Sequence, residues 1–138
     1  MNVERSIVIE RPPAVVFDFY AVEHIRNHPR WDPGMELWPV TDGPIGVGTV
    51  IRRRNSRGAT PVEGTMEVVE FEPERAIGMI IRDGPFEIAG RTTFEAIGET
   101  ATRLTTAVEL PEGIDRFDPA LIERSLRNMK ELIEAEAI

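Results

Sequence analysis

The stretch from Glu36 to Leu110 most constrains what this chain can become, because strand-length runs rich in Val, Ile and Thr follow one another with only short breaks. The breaks are Asp42-Gly43-Pro44, Ser56-Arg57-Gly58, Glu72-Pro73-Glu74, Asp83-Gly84-Pro85 and Gly98-Glu99, each built from residues that favour turns over ladders. They predict strands near 36–41, 47–54, 62–71, 76–82, 86–97 and 101–110. Connections this short cannot hold a crossover helix, so neighbours in sequence should pair antiparallel. A seventh strand opens the chain, where Val3, Ile7 and Ile9 alternate with Glu4, Ser6 and Glu10.

Helices are expected at only two places. Pro12-Pro13 stops the first strand and suits the first turn of a helix, where a missing N–H costs nothing. Ala14 to Tyr20 then reads as a short apolar helix, and Glu23 to Asn27 as another turn ended by Pro29 and Pro33. After the strands, Asp118-Pro119 pairs a capping side chain with a residue preset for helical φ. Leu121, Ile122, Leu126, Met129, Leu132 and Ile133 recur along one stripe, with Glu123, Arg127, Glu131 and Glu134 opposite. About 19 residues at 1.5 Å each make a rod of roughly 28 Å, enough to cross a sheet. The class is α+β: a curved seven-stranded antiparallel sheet wrapped around a long C-terminal helix, with two short helices after the first strand. One rod cannot cover the whole apolar face of such a sheet, so a hollow should remain beneath it.

Composition narrows the function classes. The 138 residues show no compositional break and read as one domain, residues 1–138. Sixteen Lys+Arg against 24 Asp+Glu leave a net charge of −8, which repels nucleic acid and anionic lipid surfaces. Fifteen of the basic residues are Arg and one, Lys130, is Lys. The absence of cysteine excludes disulfides, thiolate metal sites and a Cys nucleophile. No apolar run approaches the roughly 18 residues of a membrane span. The opening Met1-Asn2-Val3-Glu4-Arg5 lacks the order of a signal peptide, so a cytoplasmic location is expected.

Several stretches carry a family resemblance: Pro12 to Tyr20 for the first helix, Arg30-Trp31-Asp32-Pro33-Gly34 after the second, Gly46-Val47-Gly48-Thr49 opening the third strand, and Val68 to Arg75 carrying the turn after the fourth. Their order and spacing resemble the START-like (SRPBCC) superfamily, including the polyketide cyclase/dehydrase-like proteins, over essentially the whole chain. The resemblance implies a helix-grip fold with a cavity between helix and sheet. Its members include lipid carriers, hormone receptors and aromatase/cyclases, so it implies no single activity. It also places Trp31 at the cavity mouth.

The residues expected to line that cavity are Phe17, Tyr20, Trp31, Met35, Trp38, Met66, Met79, Phe86, Phe94, Leu121 and Met129, all of which suit an ordinary core equally well. Ser125 sits within the helix stripe, either offering a hydroxyl to a ligand or packing closely with that hydroxyl bonded one turn back. Strand alternation sends Arg52 and Arg54 to one face and Arg53 to the other. One of them pointing inward, with Arg52 the candidate, would hold a carboxylate or enolate oxygen; the competing arrangement pairs the strand outwardly with Glu63 and Glu67. His24, His28 and Asp32 follow at intervals of four, a metal-like spacing on a continuous helix, but Pro29 interrupts it and no further imidazole or thiol completes a set. The histidines are therefore expected on the helix surface, and neither metal nor cofactor is expected. Lys130 borders the stripe and should reach solvent.

The function expected is binding of a hydrophobic or amphipathic small molecule in the hollow, without nucleic acid or membrane insertion. A polyketide cyclase-like enzyme is the alternative, with Arg52, Ser125 and Tyr20 directing proton transfer. A regulatory module with a filled core and a protein partner is a third. An exposed strand edge would allow a homodimer.

Overall fold

The computed structural model describes residues 1–113 and 117–136. Strand β1 (Asn2–Ile9) leads into α1 (Pro13–Phe17), whose Pro sits in the first turn. The chain continues as one π-helical turn (Asp18–Val22) and then α2 (His24–Trp31). Six strands follow: β2 (Met35–Pro39), β3 (Val50–Asn55), β4 (Val62–Glu72), β5 (Ala76–Asp83), β6 (Phe86–Ile97) and β7 (Ala101–Glu109). Helix α3 (Ala120–Glu136) completes the order. Its start is capped as the sequence implies, with the Ala120 N–H donating to Asp118 Oδ1 at 2.9 Å.

The strands form a single antiparallel sheet in the order β1-β7-β6-β5-β4-β3-β2. Consecutive strands pair from β2 to β7, as short turns require. The first strand instead closes on the last, Ile7 opposite Leu104. β1 and β2 are therefore opposite edges, and the helical segment between them carries the chain across one end of the sheet. A bulge between Val68 and Glu70 sharpens the local bend of β4.

The core lies on the concave face. Ile9, Ile51, Val68, Ile77 and Leu104 from the strands meet Val16 and Phe17 of α1 and Leu126, Met129 and Ile133 of α3. Phe17 packs edge-on against both Phe71 and Phe94, at 5.3 and 5.1 Å. Helix α3 is not equally sunk along its length. Ile133 is buried, whereas Leu121, Ile122 and Ser125 are only half-buried. The C-terminal half is docked on β1, where Lys130 Nζ donates to the Val8 carbonyl at 2.8 Å and pairs with Glu134 at 2.5 Å. Lys130 thus ties helix to strand instead of reaching free into solvent.

Pro29 does not end α2. The helix runs through it to Trp31, and the Asp32 N–H still bonds to the His28 carbonyl at 3.0 Å. Proline costs this helix one hydrogen bond near its end. Among the described residues no helix is long and apolar enough to cross a membrane.

Candidate functional site

Where α3 stands off the sheet, a hollow of about 300 Å³ remains. Ile81, Ile88, Thr106 and Val108 of β5 to β7 form its floor, and Leu121, Ile122, Ser125 and Met129 of α3 its roof. Tyr20, His28 and Trp31 make an aromatic end wall, with Met35 beside them. Asp32, Arg53, Asn55, Arg57 and Asp83 collect at one rim. The hollow is thus apolar over most of its wall and charged at one end.

Strand register builds that charged end. Arg53 on β3 stands opposite Gly64 on β4, and Gly64 opposite Asp83 on β5. Two side chains from strands about 10 Å apart meet over the glycine, with Arg53 Nε 3.0 Å from Asp83 Oδ1. A Cβ at position 64 would collide with the Arg82 carbonyl oxygen and stand 2.5 Å from Asp83 Oδ1. The contact is a buried charge pair, with both Arg53 Nε and Asp83 Oδ1 sealed from solvent. Burial lowers the guanidinium's hold on its proton, and the Asp83 carboxylate opposes that shift. Arg57 caps the rim by holding Asp32 with two nitrogens, at 2.5 and 3.3 Å.

The end wall is a ring cluster. Tyr20 and His28 both stack on Trp31, with centroids 5.1 and 5.0 Å away. Asn128 of α3 donates to the Trp31 carbonyl at 2.9 Å, fixing where α2 ends relative to the long helix. His24 is 1% exposed and donates to the Tyr20 carbonyl through Nδ1 at 2.7 Å, while its Nε2 lies 2.9 Å from His28 Nδ1. Desolvation pushes His24 down to about 4. His28 is lowered well below the usual imidazole value, first by burial and then by His24, Arg53 and Arg57. Thr92 donates to the Tyr20 hydroxyl at 2.9 Å and lies 3.1 Å from Thr106 Oγ1, and burial raises the Tyr20 phenol.

The family model for polyketide cyclase/dehydrase and lipid transport proteins matches residues 1–134. The chain belongs to this family. Solved structures agree on the fold. The protein TTHA0849 from Thermus thermophilus superposes with a TM-score of 0.79 at 19% identity, covering 100% of both chains. A START superfamily protein from Mycobacterium smegmatis gives 0.78 at 11% identity over 97% of each chain. The Zhui aromatase/cyclase from Streptomyces sp. R1128 gives 0.77 at 15% identity, over 100% of this chain and 96% of that one. No functionally curated protein matches the sequence significantly.

Within this member of the polyketide cyclase/dehydrase and lipid transport family, the residues expected around the cavity fall into four groups. Tyr20, Trp31, Met35, Leu121, Ser125 and Met129 do line the hollow. Phe17, Met66, Met79 and Phe94 are buried in the packed core, filling it instead of facing the space. Trp38 and Arg52 lie on the opposite face of the sheet, where the Arg52 guanidinium sits 5.1 Å over the Trp38 ring and pairs with Glu63 at 2.9 Å. Phe86 is 36% exposed and borders a separate depression with Pro61, Val62 and Pro85.

The inward arginine is therefore Arg53, not Arg52, because β3 presents Ile51, Arg53 and Asn55 to the concave side. Glu67 pairs with Arg82 and not with the β3 arginines. The histidines are not surface residues; both turn inward onto Trp31. The sequence contained a signal for this, since His24, Asn27 and Trp31 share one face of a helix, but the expected break at Pro29 obscured it. Among the described residues no group of three His, Asp or Glu side chains is arranged to hold a metal ion. A broader depression of about 400 Å³ crosses the outer face of the sheet over Gly78, Ala89 and Ala107; its charged neighbours Arg91 and Glu70 pair with each other.

Proposed function

We propose that the protein binds a small hydrophobic or amphipathic molecule in the hollow between α3 and the sheet, with its polar end at the Arg53–Asp83 rim. The observation that supports this most is the pairing of an apolar hollow of about 300 Å³ with a buried Arg53–Asp83 charge pair at one end. That volume is at the small end of ligand pockets, about 300–1,000 Å³, and suits a guest of one to three rings. Apolar burial would drive binding at about 25 cal/mol per Å², and the rim would set orientation.

Native mass spectrometry of freshly purified protein tests the reading, with Trp31 fluorescence in a Trp38→Phe variant as the second readout. A co-purified small molecule, or quenching of Trp31 together with a rise in Tm, is expected. A ligand at a hundredfold excess over Kd adds about 2.7 kcal/mol of stability. A panel of two-ring aromatics that changes neither Tm nor Trp31 emission, with no mass above that of the chain, overturns it.

A polyketide cyclase-like enzyme is the second reading. Arg53, whose side chain borders the hollow, is the group that would hold an enolate oxygen, and Tyr20 also lines it. Turnover of a poly-β-keto substrate, lost in Arg53→Met, separates it from simple binding. A filled-core regulatory module draws no support from a hollow of this size.

A further inference from the structure

Two imidazoles in the cavity wall are joined so that the positions of their protons follow from the bonding. A carbonyl oxygen only accepts, so the hydrogen of the 2.7 Å contact to Tyr20 sits on His24 Nδ1. A neutral His24 then has a bare Nε2. The 2.9 Å contact from that nitrogen to His28 Nδ1 requires the hydrogen to be on His28. The remaining nitrogen, His28 Nε2, is therefore a bare lone pair, and it makes no hydrogen bond among the described residues. It is 3.9 Å from Asp32 Oδ2, too far for one.

The surroundings keep the ring neutral. His24, Arg53 and Arg57 all oppose a positive charge on His28, as does burial itself. Among the described residues the carboxylates that line the hollow are Asp32, already engaged by Arg57 at 2.5 Å, and Asp83, paired with Arg53 at 3.0 Å. From the roof, α3 turns only Leu121, Ile122, Ser125 and Met129 to the hollow, none of them ionisable in the ordinary range.

We propose that His28 is the residue that determines specificity in this cavity: its Nε2 lone pair accepts a hydrogen bond from the hydroxyl of a neutral aromatic ligand, a phenol or an enol. The proposal rests on the reading of the hollow as a small-molecule site. A carboxylate has no hydrogen to offer this nitrogen. An ammonium has one, but must shed water beside Arg53 and Arg57. A neutral hydroxyl supplies the hydrogen without adding charge. His24 acts as a positioning residue, since its bond to the Tyr20 carbonyl is what turns the lone pair of His28 outward.

The test uses the full chain with ¹⁵N-labelled histidine, and 2-naphthol against 2-methoxynaphthalene, which keeps the rings but lacks the O–H. Long-range ¹H–¹⁵N spectra at pH 7 should show both imidazoles neutral with the proton on Nδ1, the less common form of free histidine. 2-Naphthol should shift the His28 Nε2 resonance and bind about tenfold tighter than its methyl ether, the effect of one hydrogen bond. His28→Phe should bring that ratio close to one. A proton on His28 Nε2, or a charged His28 at pH 7, overturns the assignment before any ligand is added. If both compounds perturb the Met129 methyl and Trp31 indole signals and leave Nε2 unmoved, the role of His28 falls while the cavity reading stands. If neither compound perturbs Met129 or Trp31, both fall together.

Discussion

His24 and His28 convert burial into a pH dependence of stability. The folded-state value of His24 is about 4, against 6.5 for an ordinary imidazole, so below pH 6.5 the unfolded chain binds protons that the folded chain refuses. The His24 contribution should therefore be complete above the unfolded value and be lost as pH drops from about 6.5 to about 4. For His24 alone the loss is on the order of 3 kcal/mol. Urea melts at pH 7.5, 5.5 and 4.5 check this, with His24→Gln losing about one proton's worth of the slope. A His24→Gln profile as steep as the wild type's would contradict it. The bonding partners of the pair could not be read from the sequence. Spacing of four placed the rings together, but their inward turn depends on Trp31, which Asn128 pins from a helix that lies 97 residues further along.

Strands β3, β4 and β5 cooperate through a missing side chain. Gly64 opens the space in which Arg53 reaches Asp83, so Gly64→Ala should cost about 1–3 kcal/mol by overpacking, measured by urea unfolding. Asp83→Ala should cost more, about 3–5 kcal/mol, because it strands a buried guanidinium. The double variant Arg53→Met/Asp83→Leu should recover most of that loss, which would show that the pair is held for recognition more than for stability. Strand positions, their antiparallel order and the start of α3 were legible because turn residues and hydrophobic period act locally. Which arginine faces the hollow was not. Alternation separated Arg53 from Arg52 and Arg54, but choosing the inward face required the register against Gly64 and Asp83.

The hollow itself belongs to no element. It exists because α3 is docked on β1 at its C-terminal half and stands off the floor around Ser125. Ser125→Phe should fill the space from the roof. Tm should hold or rise slightly, since a void is being packed, and the thermal shift caused by two-ring aromatics should vanish. A variant that still binds them would place the site elsewhere. By itself, the sequence determined which segments become strands and helices, that the strands meander, and that one apolar stripe must cover a larger apolar face, since these follow from local periodicity and turn chemistry. Only the tertiary structure decided which aromatic residues line the space and which fill the core, that the histidines turn inward, and that Arg53 is the β3 arginine that reaches the rim. The reason is physical: burial and hydrogen-bond pairing are set by contacts between elements far apart in the chain, and the hydrophobic pattern marks a residue as inward without saying whether it will meet another side chain or empty space.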